Sequence, residues 1–168
     1  MANTFELIKS TTVGSGGAAT IDFSSIPSTF TDLVFKLSLR DSYSGVASSD
    51  LISFNGSTAN ITSRMIQGSG SATSSSTTPA RFAGNNVSAT ATASVFANVE
   101  IYIPNYAGST YKSFLVDSVT ENNATEAYAN FIAGLWSSTS AINQVTFTPT
   151  SGTFAQYSTA YLYGVKSS

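Results

Sequence analysis

The sequence predicts a single all-β domain, an antiparallel sandwich or barrel of about eight to ten strands. Three observations lead there. Short apolar runs recur between Gly, Asn, Ser and Pro. Two of them alternate between apolar and polar residues, the period of two that marks a half-buried strand. The chain also carries 30 Ser and 22 Thr, together 52 of 168 residues, and such side chains suit turns and β-surfaces and make poor helix interiors. No segment shows an apolar stripe at helical spacing. A chain of this size reads as one domain over residues 1–168, and it should bury roughly 70% of its unfolded surface, enough for a core without a disulfide or metal.

Thr4 to Ile8 opens the series, and the Val13-Gly14-Ser15-Gly16-Gly17 turn leads into a return strand from Ala19 to Phe23. A short helical turn is expected near Ser24-Ser25-Ile26, before Pro27. Leu33, Phe35, Leu37 and Leu39 then alternate with Val34, Lys36, Ser38 and Arg40. The pattern returns from Val95 to Ile103 and stops at Pro104-Asn105, because proline cannot donate to a ladder. Leu51–Phe54, Ile61–Gln67, Phe114–Val119, Tyr128–Trp136, Ile142–Thr148 and Ala160–Val165 complete the strands, with Asn55-Gly56 as a tight turn and Trp136 in the core.

One stretch breaks the rhythm. From Gly68 to Ser94, 21 of 27 residues are Gly, Ala, Ser or Thr. It reads either as a surface loop with too little apolar area to order itself, or as an arm that orders against a neighbouring subunit, with Arg81 and Phe82 as its anchors.

Charge and residue content exclude several functions. Charged residues are 10% of the chain, the net charge is −2, and the seven basic residues are scattered singly. No basic stripe exists to neutralise phosphates or anionic lipid, so nucleic acid and membrane surfaces are not expected partners. Cys and His are both absent, which removes thiolate nucleophiles, Ser-His-Asp arrangements and the usual zinc ligands. The N-terminal residues show neither the basic nor the apolar region of a secretory signal, and the expectation is synthesis and folding in a cytoplasm.

The remaining polar clusters read as structural. Asp41 and Asp50, with intervening hydroxyls, offer oxygen ligands of the kind calcium takes, but the spacing matches no calcium loop and the expectation is a solvated turn without metal. Asp117, Glu121 and Glu126 around Asn122-Asn123 are a carboxylate set for glycoside hydrolysis only if a cleft raises one pKa, and a capped turn is the simpler reading. Gly14-Ser15-Gly16-Gly17 lacks the lysine and helix of a phosphate loop. The sequons at Asn55, Asn60, Asn86 and Asn123 follow from the abundance of Ser and Thr. Tyr102, Tyr106 and Tyr111 cluster about Asn105, and Tyr157, Tyr161 and Tyr163 crowd the last strands. Rings so placed belong to a core edge, a subunit interface or a sugar-stacking platform. A surface so poor in Lys and Glu fits a protein covered by copies of itself or by a partner.

Phe5-Glu6-Leu7-Ile8-Lys9-Ser10, Ile21-Asp22-Phe23-Ser24-Ser25-Ile26-Pro27, Glu100-Ile101-Tyr102-Ile103-Pro104-Asn105-Tyr106, Glu121-Asn122-Asn123, Ala133-Gly134-Leu135-Trp136 and Tyr161-Leu162-Tyr163-Gly164-Val165 resemble a group of small virion structural proteins of tailed bacteriophages, cyanophages among them. The resemblance spans nearly the whole chain. It implies a jelly-roll-like β-sandwich on the virion, non-enzymatic and without cofactor, assembled as a symmetric homo-oligomer such as a trimer. The favoured role is a capsid decoration or cement protein on the major capsid protein lattice, with Arg81, Phe82, Tyr102, Asn105, Tyr106 and Tyr111 as candidate interface residues. A tail-associated or fibre module touching host glycans is the alternative, and a virion glycan hydrolase a third.

Overall fold

In a computed structural model of the chain, residues 4–77, 80–122 and 126–166 are described, and they form twelve strands and no helix. An eight-stranded sheet runs in the order β1 (Phe5–Thr12), β12 (Thr159–Val165), β3 (Asp32–Leu39), β8 (Ala97–Pro104), β9 (Lys112–Val119), β10 (Ala129–Trp136), β5 (Ile61–Gly68) and β6 (Thr73–Ser76). A four-stranded sheet holds β2 (Ile21–Phe23), β11 (Val145–Pro149), β4 (Ala47–Phe54) and β7 (Phe82–Val87). Every neighbouring pair is antiparallel. The first four strands alternate between the sheets and the last two return between them, so the sandwich is wound in jelly-roll fashion.

The two alternating runs become neighbours at the centre of the large sheet. Leu33, Phe35, Leu37 and Leu39 of β3 lie opposite Ile103, Ile101, Val99 and Ala97 of β8, and all eight are buried. The small sheet covers this face. Phe23, Phe35 and Phe147 meet edge to face with centroids 5.4 to 6.4 Å apart. Phe54 packs between Phe114 at 5.5 Å and Trp136 at 5.3 Å. Each ring contact of this kind adds about 0.5–1.5 kcal/mol beyond the burial itself.

Among its described residues the Gly68–Ser94 stretch divides into a largely exposed hairpin edge up to Thr77 and a buried segment from Phe82 to Ser88. It contributes edge strand β6 and strand β7, whose six residues are all buried. The accessible surface of the whole protein, 8032 Å², agrees with the roughly 7,900 Å² expected of a compact 17.5 kDa chain. Small side chains order this segment by letting its backbone approach the large sheet. At Gly84 φ is +110°, and a Cβ there would stand 2.8 Å from Cβ of Ser118. The polar residue beside it is satisfied: Asn85 Oδ1 accepts from Asn130 Nδ2 at 2.8 Å and Gln67 Nε2 at 3.3 Å, and its Nδ2 donates to the Ser48 carbonyl at 3.2 Å. The Arg40 guanidinium then holds the chain beyond β7 by donating to the carbonyls of Ala89, Ala91, Thr92 and Val95.

Two smaller expectations change as well. Ser24–Ile26 is a bend, with Ser25 at φ 57°, where a helical turn is expected. Strand β4 begins at Ala47, ahead of the apolar run at Leu51, because β7 supplies a ladder partner for its polar half.

Candidate functional site

Register decides what the outer face of the large sheet presents. Leu7, Tyr163, Val34, Tyr102, Leu115 and Ala133 are successive cross-strand partners on β1, β12, β3, β8, β9 and β10. They form one apolar row across six strands on the face away from the core. Beside it, Phe131 of β10 opposes Ile66 of β5. Phe131 is 55% and Ile66 62% exposed, and with Arg64, Met65 and Ala133 they line a shallow groove of about 350 Å³. Of the eleven exposed large apolar or tyrosine side chains among the described residues, eight lie on this face: Phe5, Leu7, Ile66, Tyr102, Leu115, Val119, Phe131 and Tyr161. The solvent side of an antiparallel sheet is normally polar, and a contiguous exposed apolar patch marks an interaction surface.

Charge is confined to part of this face. Lys36 and Glu100 are paired and about half exposed, an arrangement worth about 0–1 kcal/mol. Asp117 lies opposite Glu100 in the β8–β9 ladder. At the β8 end, Asp32 acts as a clamp. Its Oδ2 accepts from the Tyr102 hydroxyl at 2.8 Å and its Oδ1 from the Asn105 amide at 2.9 Å. The hydrogen bond to that carboxylate, then burial and the carboxylate's charge, pushes the Tyr102 phenol up from its ordinary value.

The residues expected at an interface separate. Tyr102 lies on the outer face, and Asn105 and Tyr111 are exposed in the turn that follows β8. Phe82 and Tyr106 are core residues at 2% and 0% exposure, so neither is a surface anchor. Phe82 faces the sandwich interior because it opens β7, and the Tyr106 hydroxyl is held inside by the Pro27 carbonyl. Arg81 is half-buried at φ 67°, its guanidinium turned back to the Ile52 carbonyl at 3.4 Å. Sequence reasoning passed over Ile66, Leu115 and Phe131. For Phe131 the signal was present in the Phe131–Trp136 run, which has no polar residue at either parity, as a strand with apolar contacts on both faces must.

Asp117 lies on the open outer face, Glu126 accepts from the Tyr128 hydroxyl, and Asn123 and Thr125 lie outside the described residues. Among the described residues no three His, Cys, Asp or Glu converge as metal ligands would. Asp41 and Asp50 depart from the expected solvated turn: each is 1% exposed. Of the sequons, Asn55 uses its Oδ1 to accept the Asn143 and Gln144 amides, Asn86 is buried, and Asn123 lies outside the described residues. Gly14–Gly17 is a plain turn closed by the Gly17 amide on the Gly14 carbonyl at 3.0 Å.

No family model matches the chain, and no curated protein matches it. Among solved structures, a fructofuranosidase variant from Schwanniomyces occidentalis complexed with fructosylnystose aligns with 99% of this chain at 6% identity and a TM-score of 0.27. The chain spans 35% of the length of that structure, and a likeness this loose carries neither fold nor function.

Proposed function

We propose that the chain is a non-enzymatic structural protein that acts by laying the outer face of its eight-stranded sheet against protein. The reading rests on one observation, the apolar row from Leu7 to Ala133 with Phe131 and Ile66 beside it. Lys36, Glu100 and Asp117 form a charged strip beside the row and Arg64 stands at its β5 end, so the proposed contact has an apolar and aromatic centre with charge at its rim, as interfaces do. The specific role proposed is capsid decoration or cement on a tailed-phage virion. A symmetric oligomer, a trimer in the simplest form, binds the major capsid protein lattice through Tyr102, Leu115, Phe131 and Ile66. A protein that binds the assembled shell and not its loose subunits stabilises the shell by mass action, and linked copies add avidity. Asn105 and Tyr111 extend the surface at its β8 end.

Quantitative mass spectrometry of purified virions tests the role. Hundreds of copies, in a ratio to the major capsid protein near one or one third, support a decoration protein. A handful of copies per particle overturns it in favour of a tail or fibre position with host-glycan contact. In parallel, Ile66→Ser/Phe131→Ser protein should fail to co-sediment with undecorated shells.

A further inference from the structure

Five polar residues meet at one end of the small sheet, drawn from three segments. Ser48 pairs with Asn86 in the β4–β7 ladder, and Asp50 follows at the bulge in β4. The Asp41 amide donates to the Val87 carbonyl, and the Ser88 amide to the Val46 carbonyl, each at 2.9 Å. Asp41 Oδ1 accepts the Tyr43 amide at 3.0 Å and its Oδ2 accepts the Ser48 hydroxyl. Asp50 Oδ1 accepts Asn86 Nδ2 at 3.2 Å.

Three oxygens here are left over. Asp50 Oδ2, Asn86 Oδ1 and Ser88 Oγ are buried without a hydrogen-bond partner, in residues that are 1%, 0% and 0% exposed. Buried polar atoms are nearly always paired, and one that is not calls for an explanation. No cationic side chain supplies it. The ion pairs among the described residues are Lys36–Glu100 and Lys166–Glu6, and the neighbouring Arg40 guanidinium is directed to four carbonyls elsewhere. Burial, and after it the charge of Asp41, pushes the Asp50 carboxyl well above the usual carboxylate range.

We propose that a calcium ion binds here, with Asp41 and Asp50 supplying the charge, Asn86 Oδ1 and Ser88 Oγ supplying neutral oxygens, and water completing the shell. Two carboxylates neutralise a divalent cation, and amide and hydroxyl oxygens are ordinary calcium ligands. An all-oxygen donor set disfavours softer metals. A site built from a bulge and a loop suits calcium, which tolerates irregular geometry with 6–8 ligands, better than magnesium, which demands a near-ideal octahedron. The ion would tie β4 and the β3–β4 loop to the end of β7, fastening the small-residue segment that local composition leaves weakest.

The test uses the full chain, stripped with EDTA, dialysed and titrated with CaCl2 by calorimetry while Tm is followed. The expected result is one saturable site with Kd between about 10⁻⁶ and 10⁻³ M, and a Tm several degrees higher at saturation. Asp50→Asn should weaken binding at least tenfold, and Ser88→Ala, which keeps both charges should the first variant not fold, should weaken it by a smaller factor. The proposal is overturned by a wild-type chain that shows neither heat nor a Tm change up to about 10 mM calcium. It is overturned equally by Asp50→Asn protein binding as tightly as wild type, or by magnesium acting as strongly as calcium.

Discussion

Phe131 and Ile66 stand opposite each other in the β10–β5 ladder with both side chains turned to solvent, at 55% and 62% exposure. A cross-strand apolar pair adds only about 0.2–1 kcal/mol to a sheet, and neither side chain reaches the core. Replacing both with Ser should therefore move Tm by no more than a few degrees. The same change should abolish association through the outer face, read as co-sedimentation with shells and as oligomer mass by light scattering. Unchanged association in a normally folded double variant would remove the outer face as the contact surface.

Phe82 and Tyr106 should behave in the opposite way. Both are buried, so Phe82→Ala should cost about 3–5 kcal/mol, a Tm loss on the order of 10 °C for a chain of this size. Tyr106→Phe deletes only the hydroxyl that donates to the Pro27 carbonyl, a change of about 1 kcal/mol. Thermal melts check both. A Phe82→Ala chain that melts with wild type would mean that the ring is not in the core.

Gly84 is required by both its conformation and its surroundings. At φ +110° an L side chain is strained, and its Cβ would stand 2.8 Å from Cβ of Ser118 and 2.9 Å from Oγ. Gly84→Ala should cost at least the 1–3 kcal/mol of overpacking. Ser118→Gly in the same chain should return only part of that, because the strain at φ persists. Denaturant melts of the two variants provide the comparison, and complete rescue would mean that crowding alone sets the requirement.

Asp22 contributes to the acid limit of stability. Burial pushes its carboxyl up, but hydrogen bonds donated by Thr146 at 2.6 Å, Gln144 at 2.7 Å and Ser24, with the charge of Lys9, outweigh that and hold it below its ordinary 3.8. A depressed folded pKa gives stability that is fully present above the unfolded value and is lost as pH falls through the folded one. Wild type should therefore exceed Asp22→Asn in urea midpoint at pH 5, and the gap should close below about pH 4. A gap that stays constant down to pH 2 would show that Asp22 acts only through its shape.

Much of the fold is a local property and was legible in the chain. Alternation in Leu33–Leu39 and Val95–Ile103 predicts half-buried strands because successive side chains in an extended chain point to opposite faces, whatever lies nearby. Those strands form and pair with each other through the inward leucines and isoleucines. Hydroxyl-rich composition likewise excludes a helical fold through backbone competition within each residue.

The tertiary structure decided the rest, because pairing partners and register are non-local. Phe82–Val87 contains too little apolar area to announce a buried strand. It is buried because Gly84 admits the large sheet to close contact and Asn130 and Gln67 satisfy Asn85. Tyr106 and Tyr111 looked equivalent in sequence, yet the turn after β8 sends one to 0% and the other to 59% exposure. The outer face depends on distance along the chain most of all. Leu7, Tyr163, Val34, Tyr102, Leu115 and Ala133 are far apart in sequence, and only the ladder register brings them into one row. A shift of one residue in any ladder would turn that strand's members of the row into the core.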